Sequence, residues 1–195
     1  MKALLLDADG VVITAQRFDE KYHRDFGVDP AVFNDFFKKE FNHCIIGEKD
    51  LLETVTPWLD SWQWRGSARE FLNYWFDAES RVDERVITRV NALKTKGVIC
   101  CLATNQEKYR TAYLRDKMGF GELFDMVYSS CELGSKKPQD LFFEKINDDM
   151  RDRFGISPNE VLFFDDTPSH VEAARRHGID SRLYDFDSFD KATRM

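Results

Sequence analysis

Four short apolar runs, at residues 3–6, 98–103, 126–128 and 161–164, each stop at polar or acidic side chains, and this pattern limits the fold more than any other feature. Runs of this length without polar alternation suit strands buried on both faces, the condition of a parallel sheet covered by helices. Helical spacing fills the gaps between them. Val86, Ile87, Val90 and Leu93 repeat along one face before Gly97, and Val171, Ala174 and Arg175 do so before Gly178. Strands alternating with helices predict the α/β class, with crossover connections and a parallel sheet.

One region breaks the alternation. From about residue 16 to residue 83 the periodicity is helical and no strand pattern occurs: Phe33, Phe36, Phe37 and Phe41 share one helical face, and Leu51, Leu52, Val55 and Leu59 another. Ser67-Ala68-Arg69-Glu70 reads as a capping box ahead of Phe71 and Trp75. The expectation is a small all-helical insert at 16–83 between the first strand and its helix, with 1–15 and 84–195 forming the α/β core. Trp58, Trp62, Trp64 and Arg65 crowd beside Pro57, and could either pack the insert or offer a substrate an aromatic face with a guanidinium.

Charge narrows the partners. With 28 basic and 35 acidic residues, the formal charge is −7, which argues against electrostatic binding to nucleic acid or anionic membrane. No stretch reaches the roughly 20 apolar residues of a membrane helix, and Leu4-Leu5-Leu6 meets Asp7 too soon for a signal peptide. A cytoplasmic protein is expected, and the residues favour no particular oligomeric state. Cys44, Cys100, Cys101 and Cys131 have neither CxxC nor zinc spacing and are expected as buried thiols.

The chemistry-bearing residues stand where the runs end. Asp7-Ala8-Asp9-Gly10 follows the first run, and in an open α/β sheet the loops beyond the carboxyl ends of the strands line the ligand crevice. Thr104-Asn105 follows the second run; a hydroxyl and an amide there suit a phosphate oxygen or a helix N-cap. Gly134-Ser135-Lys136-Lys137-Pro138 puts two lysines ahead of a proline suited to the first turn of a helix. Asp165-Asp166 closes the last run, and adjacent carboxylates at the end of an apolar strand repel unless a cation or donors offset them.

Taken in order, Leu-Leu-Leu-Asp-x-Asp-Gly, an apolar run to Thr-Asn, Lys-Pro and Phe-Phe-Asp-Asp resemble the four motifs of the haloacid dehalogenase-like hydrolase superfamily. The resemblance spans Asp7 to Gly178 and implies a Rossmann-like three-layer core, with the insert as a helical cap after the first strand. The position of that cap and the form of the last motif are similar to the small sugar-phosphate phosphatases. On this resemblance Asp7 is the nucleophile, Asp9 the general acid and base, Thr104 and Asn105 the phosphate binders, and Lys137 the cationic clamp. Mg2+ is the implied cofactor, held by Asp7, Asp9 through its backbone carbonyl, and Asp166, with Asp165 in support. Val11 stands where a threonine often follows the glycine.

Such a site would hydrolyse a phosphomonoester of a small phosphorylated metabolite. An aspartate of ordinary pKa, about 3.9, is ionised at pH 7 but must approach a dianion. Two unit charges roughly 4 Å apart interact by about 4 kcal/mol at an effective dielectric of about 20, so cations must compensate. A departing halide needs neither acid nor metal, so Asp9 and the Asp165-Asp166 pair point to phosphate within this superfamily. A phosphomutase would keep the same motifs. A phospho-accepting receiver domain would carry its acidic pair before the phosphorylated residue, whereas here the pair comes last, and a catalytically silent binding or regulatory protein would not require all four motifs.

Overall fold

The apolar runs form strands because their side chains are apolar on both faces, and each face is covered. In the computed structural model, which describes residues 1–14 and 16–194, β1 (Ala3–Leu6), β2 (Ile99–Thr104), β3 (Met126–Ser129), β4 (Val161–Asp165) and β5 (Asp180–Leu183) make one parallel sheet in the order β3-β2-β1-β4-β5. β1 lies at the centre, fully buried along its length. Its Leu4 and Leu6 pack with Val86, Val90 and Leu93 of the helix Glu84–Lys94 on one face. Ala3 and Leu5 pack on the other face with Phe142, Phe143 and Ile146 of the helix Asp140–Phe154 and with Ala173 and Ala174 of the helix Pro168–Arg176. The result is the three-layer, Rossmann-like α/β arrangement expected from the sequence. Each fully buried leucine in it contributes about 1.5–3 kcal/mol.

β5 escapes the run-based reading. It is an edge strand whose Asp180 and Arg182 face solvent and pair with each other at 2.8 Å, while only Ser181 is buried. A strand covered on one side needs no apolar run, so its sequence carries no such signal. Pro138 also differs from expectation. It precedes Gln139, the N-cap of the helix Asp140–Phe154, and so stands outside the first helical turn.

Residues 18–76 bury a cluster of their own, separate from the two that flank the sheet, around Tyr22, Phe33, Phe36, Trp62 and Phe71. The helices Phe18–Phe26, Asn34–Lys39, Phe41–Ile45, Leu51–Val55 and Ala68–Ala78 supply it. The Ser67 capping box opens the last of these: Glu70 N–H donates to Ser67 Oγ at 3.3 Å, and Ser67 N–H donates to Glu70 Oε2 at 2.7 Å. Two connectors join this region to the sheet side by side, with Thr14 N–H donating to the Arg81 carbonyl and Asp83 N–H to that of Val12, both at 2.9 Å. The sequence boundary drawn after residue 15 falls on Ala15, outside the described residues.

Polar contacts run along the seam between helical insert and sheet, beside the packing of Tyr109 and Tyr113 on the insert's apolar cluster. Tyr109 Oη donates to Asp50 at 2.8 Å, Ser130 Oγ to the Ile45 carbonyl at 2.7 Å, and Tyr113 Oη to Asp77 at 2.6 Å. Arg110, buried in the helix Lys108–Ala112, donates to the carbonyls of Phe76 and Glu79 at the end of the insert's last helix. Cys44, Cys100 and Cys101 are buried and Cys131 is half-buried, all as free thiols. No helix among the described residues is long and apolar enough to cross a membrane.

Candidate active site

Register decides which motif residues meet. Because Leu6 pairs with Phe164 across β1 and β4, the next residues, Asp7 and Asp165, emerge side by side at the carboxyl edge of the sheet. Thr104 ends β2 on the other side of β1, and the turn before the helix Asp140–Phe154 brings in Lys137. Asp7, Asp9, Gly10, Thr104, Asn105, Asp166, Thr167 and His170 line one cavity of about 420 Å³, which Arg17 and Glu79 from the insert side complete.

Lys137 lies at the base. Its side chain is wholly buried, and Nζ donates to Asp165 Oδ2 at 2.6 Å and lies 2.9 Å from Asp7 Oδ1. Burial would lower its pKa, but the two carboxylates outweigh burial and raise it, so the ammonium persists. Lys136 turns the other way and reaches Asn42 of the insert, so geometry as well as position singles out Lys137.

The two carboxylates respond differently to the same ammonium. Burial pushes the Asp7 carboxyl up to about 7 against the pull of Lys137, with Asp165 and Asp9 adding to the rise. The ordinary aspartate pKa assumed from sequence therefore does not hold for the metal-free protein. Asp165, also buried, is nonetheless brought down to about 2 by the His170 hydrogen bond and by Lys137. Its Oδ1 accepts from the Thr167 N–H at 2.9 Å and lies 3.0 Å from His170 Nδ1. Asp7 accepts both the Ala8 N–H, at 2.7 Å, and the Lys137 ammonium on Oδ1, which leaves Oδ2 as the candidate attacking oxygen.

Thr104 is buried and caps nothing; Glu107 caps the following helix instead, accepting the backbone N–H groups of Tyr109 and Arg110. The Asn105 amide is committed to Lys137: its Nδ2 donates to the Lys137 carbonyl at 3.0 Å and its Oδ1 accepts the Lys137 N–H at 2.9 Å. That side chain fixes the lysine turn, and with one Nδ2 hydrogen uncommitted it still lines the cavity. Gly10 has φ +82°, and a Cβ there would lie 2.1 Å from Asp166 Oδ2. Only glycine lets the late carboxylate close over the first motif.

Asp7, Asp165 and His170 offer ligand atoms all within 4.8 Å of one another. The Lys137 ammonium already sits between the two carboxylates of that group; Asp7 and Asp166, which line the cavity, are the carboxylates that would offer hard oxygens to a divalent ion there. The tryptophan cluster stays away from the cavity. Trp62 is buried with Nε1 donating to the Val32 carbonyl, Trp58 stacks on it, and Trp64 Nε1 donates to the Ser67 carbonyl. Exposed Arg65 does not line the cavity either, so the packing alternative holds for this group. His23 and His43 are likewise exposed and bonded within the insert.

A family model described as haloacid dehalogenase-like hydrolase matches residues 1–178. The chain belongs to this family. Among solved haloacid dehalogenase-like folds, a Bacteroides thetaiotaomicron enzyme determined as a magnesium complex superposes with a TM-score of 0.82 at 19% identity, covering 100% of this chain and 99% of that one. A predicted hydrolase of the same family from Porphyromonas gingivalis gives 0.79 at 20% identity, covering 100% and 98%. The L-2-haloacid dehalogenase of Xanthobacter autotrophicus gives 0.67 at 15% identity, covering 98% and 81%. Among curated relatives, bifunctional epoxide hydrolase 2 of Rattus norvegicus is 27% identical over 106 residues, 52% of this chain and 18% of that protein. This chain thus matches less than a fifth of that relative's length.

Proposed function

We propose that the chain is a magnesium-dependent phosphomonoester hydrolase acting on a small phosphorylated metabolite, with residues 16–83 as its cap. The observation that carries this reading is the convergence of Asp7, Asp9, Thr104 and Asp166 on one cavity with the buried Lys137 ammonium beneath Asp7. A divalent ion held by Asp7, Asp166 and the Asp9 carbonyl would offset the charge of an incoming phosphate.

In this reading Asp7 Oδ2 attacks phosphorus, the bond from phosphorus to the leaving oxygen breaks, and Asp9 gives that oxygen a proton. Water then attacks the aspartyl phosphate, Asp9 takes its proton, and the bond between phosphorus and Asp7 breaks to restore the carboxylate. Lys137 and Thr104 hold charge and orientation throughout. A proton-transferring acid such as Asp9 is what separates this chemistry from halide displacement. Arg17 and Glu79 line the cavity from the insert side, where in this reading the cap would face the leaving group.

The test is phosphate release from a panel of sugar and other small-metabolite phosphates, with and without magnesium, by wild-type protein and by Asp7→Asn. Magnesium-dependent release that falls at least about a thousandfold in the variant is expected. Interconversion of hexose phosphates without net release would replace hydrolysis by a mutase reaction, and comparable turnover by purified Asp7→Asn would remove Asp7 from the nucleophile's place.

A further inference from the structure

Gln106 lies one residue beyond the Thr104-Asn105 pair, is 6% exposed, and sends its side chain back into the site. Its Nε2 donates to Asp9 Oδ2 at 2.5 Å and lies 3.4 Å from Thr104 Oγ1. Its backbone carbonyl accepts the Cys131 N–H at 3.2 Å and, at the same distance, shares the single proton of the Ser130 hydroxyl with the nearer Ile45 carbonyl of the helical insert, at 2.7 Å. One buried residue therefore joins an exposed carboxylate at the floor of the cavity to the seam where the insert meets the sheet.

Asp9 needs such a partner. Unlike Asp7 it is exposed, and among the described residues no ammonium is paired with it, so its rotamer is not fixed by burial or by an ion pair. An amide donor held at its own main chain can fix the carboxylate in direction without supplying a charge.

We infer that Gln106 is a positioning residue that aims the Asp9 carboxylate for proton transfer, anchored through Ser130 to the docked insert. This rests on the phosphohydrolase reading, and it makes a claim that reading does not: the two half-reactions depend on Gln106 to different degrees. An aryl phosphate with a strongly acidic phenol leaves without a proton, so its first half-reaction does not need Asp9. Hydrolysis of the aspartyl phosphate still needs Asp9 to take a proton from water.

Stopped-flow measurement of phenolate release from p-nitrophenyl phosphate with magnesium separates the steps, using wild type, Gln106→Met and Gln106→Leu, each with its melting curve. Both variants keep the buried volume and lose the donor. The expected result is a burst of phenolate within about threefold of the wild-type rate, followed by steady turnover reduced at least about tenfold, a part of the 10²–10⁴ that general acid–base catalysis supplies. Simple alkyl phosphates should lose at least about tenfold in their first turnover as well. Equal losses in burst and steady rate, or no loss in either, would overturn the positioning role. If wild-type protein released no phenolate at all, the hydrolase reading itself would fail, which is a distinct result. A variant that melts far below the wild type is read from its partner, since the two substitutions perturb packing differently.

Discussion

Removing the ammonium of Lys137 would leave Asp7 and Asp165 buried beside each other with no cation between them. Lys137→Met should therefore cost about 3–5 kcal/mol in urea unfolding at pH 7.5. The deficit should shrink at pH 5, because Asp7, already pushed up to about 7 by burial, can neutralise itself. An equal deficit at both pH values would show that packing, not charge, is what the lysine supplies. At this scale the acidic and lysine residues were legible in the sequence, since strand-end carboxylates and a lysine beside proline are chemically conspicuous. Gln106 and His170 were not. Gln106 acts by bonding to a carboxylate that follows another strand, a partnership that exists only once β2 and β1 are known to be neighbours, whereas His170 meets Asp165 five residues earlier through the turn that leads from β4 into the helix Pro168–Arg176. Similarly, nothing local shows that the Asn105 amide turns to the Lys137 backbone.

Arg110 links elements that are far apart in the chain. It is buried, and its guanidinium satisfies the Phe76 and Glu79 carbonyls where the insert's last helix ends. Helix ends leave carbonyls without intrahelical partners, so Arg110→Ala strands the Glu79 carbonyl in a poorly hydrated place, while the Phe76 carbonyl keeps only the Glu79 N–H. A loss of about 2–3 kcal/mol is expected by urea titration, with larger loss of phosphate turnover than Ser67→Ala, which removes only a cap worth about 1 kcal/mol. Equal effects of the two changes on turnover would argue that the helix end plays no part in docking the insert. Most elements could be read from periodicity, including the helices around Val86 and Val171 and the capping box at Ser67. β5 could not, because one exposed face let Asp180 and Arg182 stand where an apolar run would otherwise have marked a strand.

For the molecule as a whole, the raised pKa of Asp7 ties stability, pH and metal together. The unfolded chain releases this proton near 3.8 and the folded metal-free protein near 7. The contribution of this group to stability is thus complete below about pH 4 and disappears as the pH rises to about 7. Magnesium requires the carboxylate, so it competes with that proton, and the rise in melting temperature at fixed magnesium should grow from pH 6 to pH 8. A magnesium shift that is flat or declines over this interval would count against Asp7 as a ligand. The seam between insert and sheet has a separate consequence. It combines the hydroxyl contacts of Tyr109, Ser130 and Tyr113 and the guanidinium of Arg110 with the packing of Tyr109 and Tyr113 on the insert's apolar cluster, so parting the two bodies would wet aromatic rings as well as polar groups. Such a separation would carry a heat-capacity change of its own, and its van't Hoff line would bend in the same sense as that of global unfolding but less, because less surface is exposed.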